Sequence, residues 1–92
     1  MATMGKRLRE ITIGFREGNA LPRIELTDKL PLWPQGNGYS VLPSRVDLMH
    51  LCLEYEEEMR IKIPFEKVLK AKTFGAMVKL VTKLSYNGGD DE

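Results

Sequence analysis

Met4, Leu8, Ile11 and Phe15 recur at spacings of four, three and four, which places them on one face of an amphipathic helix. Arg7, Arg9, Glu10 and Arg16 are left for solvent, and Gly18-Asn19 supplies the stop. The β-branched Thr12 and Ile13 weaken this helix slightly. A second apolar face, Leu48, Leu51, Cys52, Tyr55 and Met59, predicts a helix that follows Ser44 and runs to about Arg60. Ser44 is a good N-cap, and Asp47 three residues on gives it a capping-box-like partner. Glu54, Glu56, Glu57 and Glu58 turn mostly outward. Ile61-Lys62-Ile63-Pro64 reads as a short extended exit, because the residue before a proline disfavours helix. Phe65 to Lys70 is expected to make one or two turns. Thr73 then caps a last helix whose apolar face is Phe74, Met77, Val78, Val81 and Leu84.

Between Asn19 and Pro43 the periodicity disappears. Pro22, Pro31, Pro34 and Pro43, with Gly36 and Gly38, interrupt helix or strand throughout. The segment is nonetheless apolar, with Leu21, Ile24, Leu26, Leu30, Leu32, Trp33, Tyr39, Val41 and Leu42. A solvated linker would not carry so much hydrocarbon. We read it as an ordered loop lying over the core, anchored by Trp33, with Gln35-Gly36-Asn37-Gly38 as its exposed turn. The expected core is Leu8, Ile11, Phe15, Leu48, Leu51, Cys52, Tyr55, Met59, Ile63, Val68, Phe74, Met77, Val78 and Val81.

Composition narrows the function classes. Ninety-two residues make one small domain, expected over residues 1–86, with a disordered acidic tail at 87–92. Hydrophobic residues are 42% and charged residues 29%, an ordinary globular balance. A net charge of +1 does not suggest a dedicated nucleic-acid binder. The charge is unevenly spread: residues 44–60 hold two basic and five acidic groups, whereas residues 61–84 hold six basic and one acidic. One cysteine and one histidine exclude a disulfide framework and multi-cysteine metal sites. No stretch approaches the length of a membrane span, and the expectation is a cytoplasmic, monomeric, non-enzymatic protein with no catalytic residues and no metal ligands. Cys52, on an apolar face without a basic neighbour, reads as a buried inert thiol.

The run Val46-Asp47-Leu48-Met49-His50-Leu51-Cys52-Leu53-Glu54-Tyr55-Glu56-Glu57-Glu58-Met59-Arg60-Ile61-Lys62-Ile63-Pro64 resembles the second helix and its exit in acyl carrier proteins. Thr73-Phe74-Gly75-Ala76-Met77-Val78 is similar to the Thr-Val-Gly-x-x-Val start of that family's final helix. The resemblance covers about residues 44–84. It implies an all-α fold, a small antiparallel four-helix bundle with a long ordered first loop. It also implies an Asp-Ser-Leu triplet at the start of the second helix, whose serine carries a phosphopantetheine arm. Counted back from Ile63-Pro64 without gaps, that triplet falls on Ser44-Arg45-Val46, and the serine position is Arg45. Arginine cannot form the phosphodiester. Ser44 lies one residue early, and Ser40, in a Gly-x-Ser similar to that of peptidyl carriers, lies five residues early.

The leading expectation is therefore a carrier-like module without cofactor that docks to another protein, such as a biosynthetic enzyme. Arg45, Asp47, Met49 and His50 on the second helix, with Lys72 and Lys79 on the basic last segment, are the expected docking residues. The alternative is a working acyl carrier with 4'-phosphopantetheine on Ser44, serving fatty-acid or polyketide-type biosynthesis. A third, weaker alternative is a binder of nucleic acid or phosphate through the lysines of residues 62–83, which have no exposed aromatic stripe among them.

Overall fold

The computed structural model describes residues 4–36 and 38–87. Four helices follow one another: α1 Met4–Gly18, α2 Arg45–Met59, α3 Phe65–Ala71 and α4 Phe74–Asn87. No strand occurs among the described residues; the one extended pairing is an isolated bridge between Pro31 and Thr73. The protein is all-α. α1 packs against both α2 and α4, and α3 packs against α4. A radius of gyration of 12.5 Å matches the ~12 Å of a packed domain of this length.

Local signals explain the boundaries. Ser44 is the extended N-cap of α2, its hydroxyl accepting from the Asp47 amide at 3.2 Å and donating to the Asp47 carboxylate at 3.0 Å. α2 ends at Arg60, which turns left-handed (φ 57°) and returns its N–H to the Glu56 carbonyl. Residues 61–64 lie outside any helix, with Pro64 extended as the N-cap of α3, and the Ile63 amide donates to the Glu56 carboxylate at 2.7 Å, so Glu56 holds the exit. α3 runs to Ala71, a little longer than expected. The Thr73 hydroxyl accepts from the Ala76 amide at 3.3 Å and caps α4. α4 includes Asn87, where the tail was expected to begin; the rest of that tail, 88–92, and Asn37 of the exposed turn lie outside the described residues.

The loop between α1 and α2 is part of the core. Leu26, Leu32, Val41 and Leu42 are buried with Leu8, Leu48, Leu51, Cys52, Tyr55, Ile63, Val68, Phe74, Met77 and Val81. Backbone bonds stitch the loop down: Leu32 N–H to the Lys72 carbonyl at 2.9 Å, Phe74 N–H to Leu30 at 2.8 Å and Gly75 N–H to Asp28 at 2.9 Å. Val41 N–H to Pro31 and Leu42 N–H to Leu32 then fold the far end of the loop onto its middle. A methyl group at Gly75 would stand 2.7 Å from the Asp28 Cβ, so this close approach requires glycine. Arg9 reinforces it from α1, pairing with Asp28 at 3.0 Å while its guanidinium lies over the Phe74 ring.

Trp33 is partly buried and packs against the core, while its neighbour Leu32 is fully buried and ties the loop down through backbone bonds with Lys72 and Leu42. Two expectations need correction. Arg16 is not solvated but 7% exposed, because the loop crosses it and supplies the carbonyls of Val41 and Pro22 as acceptors. Ile11, Phe15, Met59 and Val78 border the core rather than fill it. Thr12, treated as a weak point of the first helix, is fully buried. Its hydroxyl donates to the Leu8 carbonyl at 2.7 Å and lies against the Tyr55 hydroxyl.

Candidate functional site on helix α2

α2 is apolar on more than one face. Leu48, Leu51, Cys52 and Tyr55 point into the core. Val46, Met49 and Leu53, at spacings of three and four, are 58%, 41% and 55% exposed. Residues at those spacings share one helix face, so they form a continuous apolar stripe over the first half of α2. Burying them in a partner would stabilise the complex. Leaving them in water contributes nothing to the fold. Sequence reasoning singled out Met49 but missed Val46 and Leu53. The signal was a helix whose hydrophobic residues outnumber the positions one core face can take.

Charge frames the stripe. Arg45 and His50 are exposed near the N-terminal end of α2, and Glu57 and Glu58 are exposed near its C-terminal end. Arg45 opposes the positive end of the helix dipole, while Asp47 in the first turn offsets it. Asp47 is half-buried and held by Ser44, so its carboxylate serves the cap more than the surface. The Ser44 hydroxyl is committed to Asp47 as both donor and acceptor, and the Ser40 hydroxyl to the Leu42 carbonyl at 2.7 Å. Beyond the stripe, Glu10, Glu54 and Glu58 rim an open groove of about 480 Å³ between α1 and α2, floored by Ile11 and Phe15.

The two lysines stand apart. Lys72 closes α3 at a positive φ of 68°, its carbonyl accepting from Leu32 and from the Gln35 side chain. Lys79 is exposed on α4. α1 packs against both α2 and α4, and among the described residues no hydrogen bond or ion pair joins either lysine to Arg45, Met49 or His50. The expected docking residues thus separate into an α2 group and two lysines on other elements.

Nothing on α2 is set up as a nucleophile. The Cys52 thiol is buried, and burial, followed by the nearby Glu56 charge, pushes its pKa up to about 12. It stays protonated at neutral pH, and the thiolate is the reactive form. Tyr55 is pushed up as well, chiefly by burial. Among the described residues no three of His, Cys, Asp and Glu come together as metal ligands, and no helix is long and apolar enough to cross a membrane. No protein-family model, curated protein or solved structure matches the chain.

Proposed function

We propose that this chain is an acyl-carrier-like docking module that works without a phosphopantetheine arm, its four helices forming the antiparallel bundle of that family. The observation that carries the reading is the stripe of Val46, Met49 and Leu53 on α2, exposed beside Arg45 and His50. Apolar residues flanked by exposed charge are the make-up of a protein–protein contact surface, in which the apolar centre gives affinity and the rim gives register. Arg45 stands where the family's arm-bearing serine would stand, and Ser44 is occupied as a helix cap. The partner is another protein, such as a biosynthetic enzyme, that presents an apolar groove with acidic groups facing Arg45. The module itself is not catalytic.

The second reading keeps the arm, on Ser44. The position of Ser44 favours it: the hydroxyl lies at the N-terminus of α2, where backbone N–H groups and the helix dipole stabilise a phosphate. Attachment there would replace the hydrogen bonds to Asp47.

Docking is tested by affinity capture from the source cells with the full chain and with a variant carrying Val46→Ser, Met49→Ser and Leu53→Ser. Both should show the same helical spectrum, because all three side chains face solvent. Proteins captured by the parent, and by a Lys29→Ser control, should fall by about tenfold or more with the triple variant, as when apolar contacts central to an interface are lost. Equal capture by the triple variant would overturn docking through α2.

A further inference from the structure

We propose that the cavity between the last turns of α1 and the Leu21–Leu26 stretch of the loop binds a small monocarboxylic acid. Its carboxylate would pair with Arg16, and its hydrocarbon body would lie against Ile13, Leu21, Ile24 and Leu26. The cavity holds about 270 Å³ and is lined by these residues together with Pro22, Glu17 and Arg23. An enclosed apolar space of about 150 Å³ already accepts a benzene-sized molecule, so a ring or short chain with one carboxylate is the right scale. Ile13, 41% exposed, leaves the α1 side of the mouth apolar and open to solvent.

Arg16 gives this cavity its chemistry. Its side chain is more than nine-tenths buried, and its hydrogen bonds go to two backbone carbonyls, those of Val41 and Pro22. Among the described residues no carboxylate forms an ion pair with Arg16. A guanidinium carries five N–H donors, of which those two bonds account for two. Strapping two carbonyls needs donors but no charge, and burying a cation without a counter-ion is costly. A carboxylate in the cavity would supply the counter-ion in the planar two-oxygen form that arginine matches best. Arg23 and Glu17 also line the cavity, both exposed and of opposite charge, so the buried Arg16 sets the sign of its interior. The lining is thus positive, apolar and of ligand size.

The test uses the full chain labelled with 15N, titrated with benzoate and hexanoate, and with benzyl alcohol and hexanol as neutral counterparts. Saturable shifts are expected with at least one acid, confined to the amides of Ile13, Glu17, Arg23 and Ile24 and to the Arg16 Nε–H. The corresponding alcohol should bind weaker by about tenfold or more. Removing Arg16 could unfold the loop it straps, so the blocking variant is Ile13→Trp, which fills the mouth from an exposed position and leaves the carbonyl bonds in place. Loss of the shifts in a folded Ile13→Trp protein supports the site. Absence of saturable shifts with both acids would make Arg16 a backbone strap only, and equal binding of the alcohols, shifts centred elsewhere or undiminished binding by Ile13→Trp would each overturn the proposal.

Discussion

Polar groups inside this small core are settled by proton counting. Thr12 has one hydroxyl proton, committed to the Leu8 carbonyl, so the short contact between Thr12 and Tyr55 requires the Tyr55 phenol to donate. Both oxygens are thereby satisfied in a fully buried position. Cys52, one turn before Tyr55's end of the same face, has a simpler state: a neutral thiol displaced from its ordinary 9.0 to about 12 by burial and by Glu56. In the unfolded chain it ionises near its ordinary value, while in the folded chain it does not. Its contribution to stability is therefore complete below about pH 9 and is lost as pH rises from there towards 12. Urea unfolding at several pH values should show this decline in the parent and a shallower one in Cys52→Ala. A parallel decline would mean the thiol is already accessible when folded. Iodoacetamide at pH 8 should likewise label Cys52 at the rate of unfolding, and rapid labelling of native protein would contradict its burial.

At the level of single elements, helix boundaries were legible because caps are local. Ser44 with Asp47, Thr73 before the last helix, and Pro64 after the exit each act within about one turn of chain, and all appear where the sequence places them. Ser44→Ala should lower stability by about 1 kcal/mol, read by urea unfolding, with little change in the folded helical spectrum. A loss within error would mean that Asp47 alone can hold the start of α2. Less legible was which face of α2 meets the core. Leucine, valine and methionine surround that helix, and periodicity cannot tell a core face from a docking face when both are apolar. Leu53 and Val46 could be told from Leu51 and Leu48 only once α1 and the loop had taken their places.

For the molecule as a whole, the 26 residues from Asn19 to Ser44 decide more than their lack of periodicity suggests. Their apolar content announced an ordered loop, but not which side chains would be inward. Leu32, rather than its partly buried neighbour Trp33, is the fully buried residue, and its backbone bonds reach Lys72 and Leu42. Arg16 was misread for the same reason: its acceptors lie 6 and 25 residues away, beyond any helical pattern. Because the loop closes the core, Leu42→Ala should cost about 2–5 kcal/mol in chemical unfolding, as for other fully buried leucines. A cost below about 1 kcal/mol would mean that the loop is laid over a core complete without it. Charge is divided on the same scale, with glutamates towards the end of α2 and lysines on α3 and α4. Arg45 and the N-cap Ser44 stand at the start of α2. Whether this chain carries an arm is decided most directly by intact mass after incubation with coenzyme A and a broad-specificity phosphopantetheinyl transferase, beside an acyl carrier that the enzyme modifies. Armless docking predicts an unchanged mass. Gain of one phosphopantetheine, mapped to Ser44 or any other serine, would contradict it.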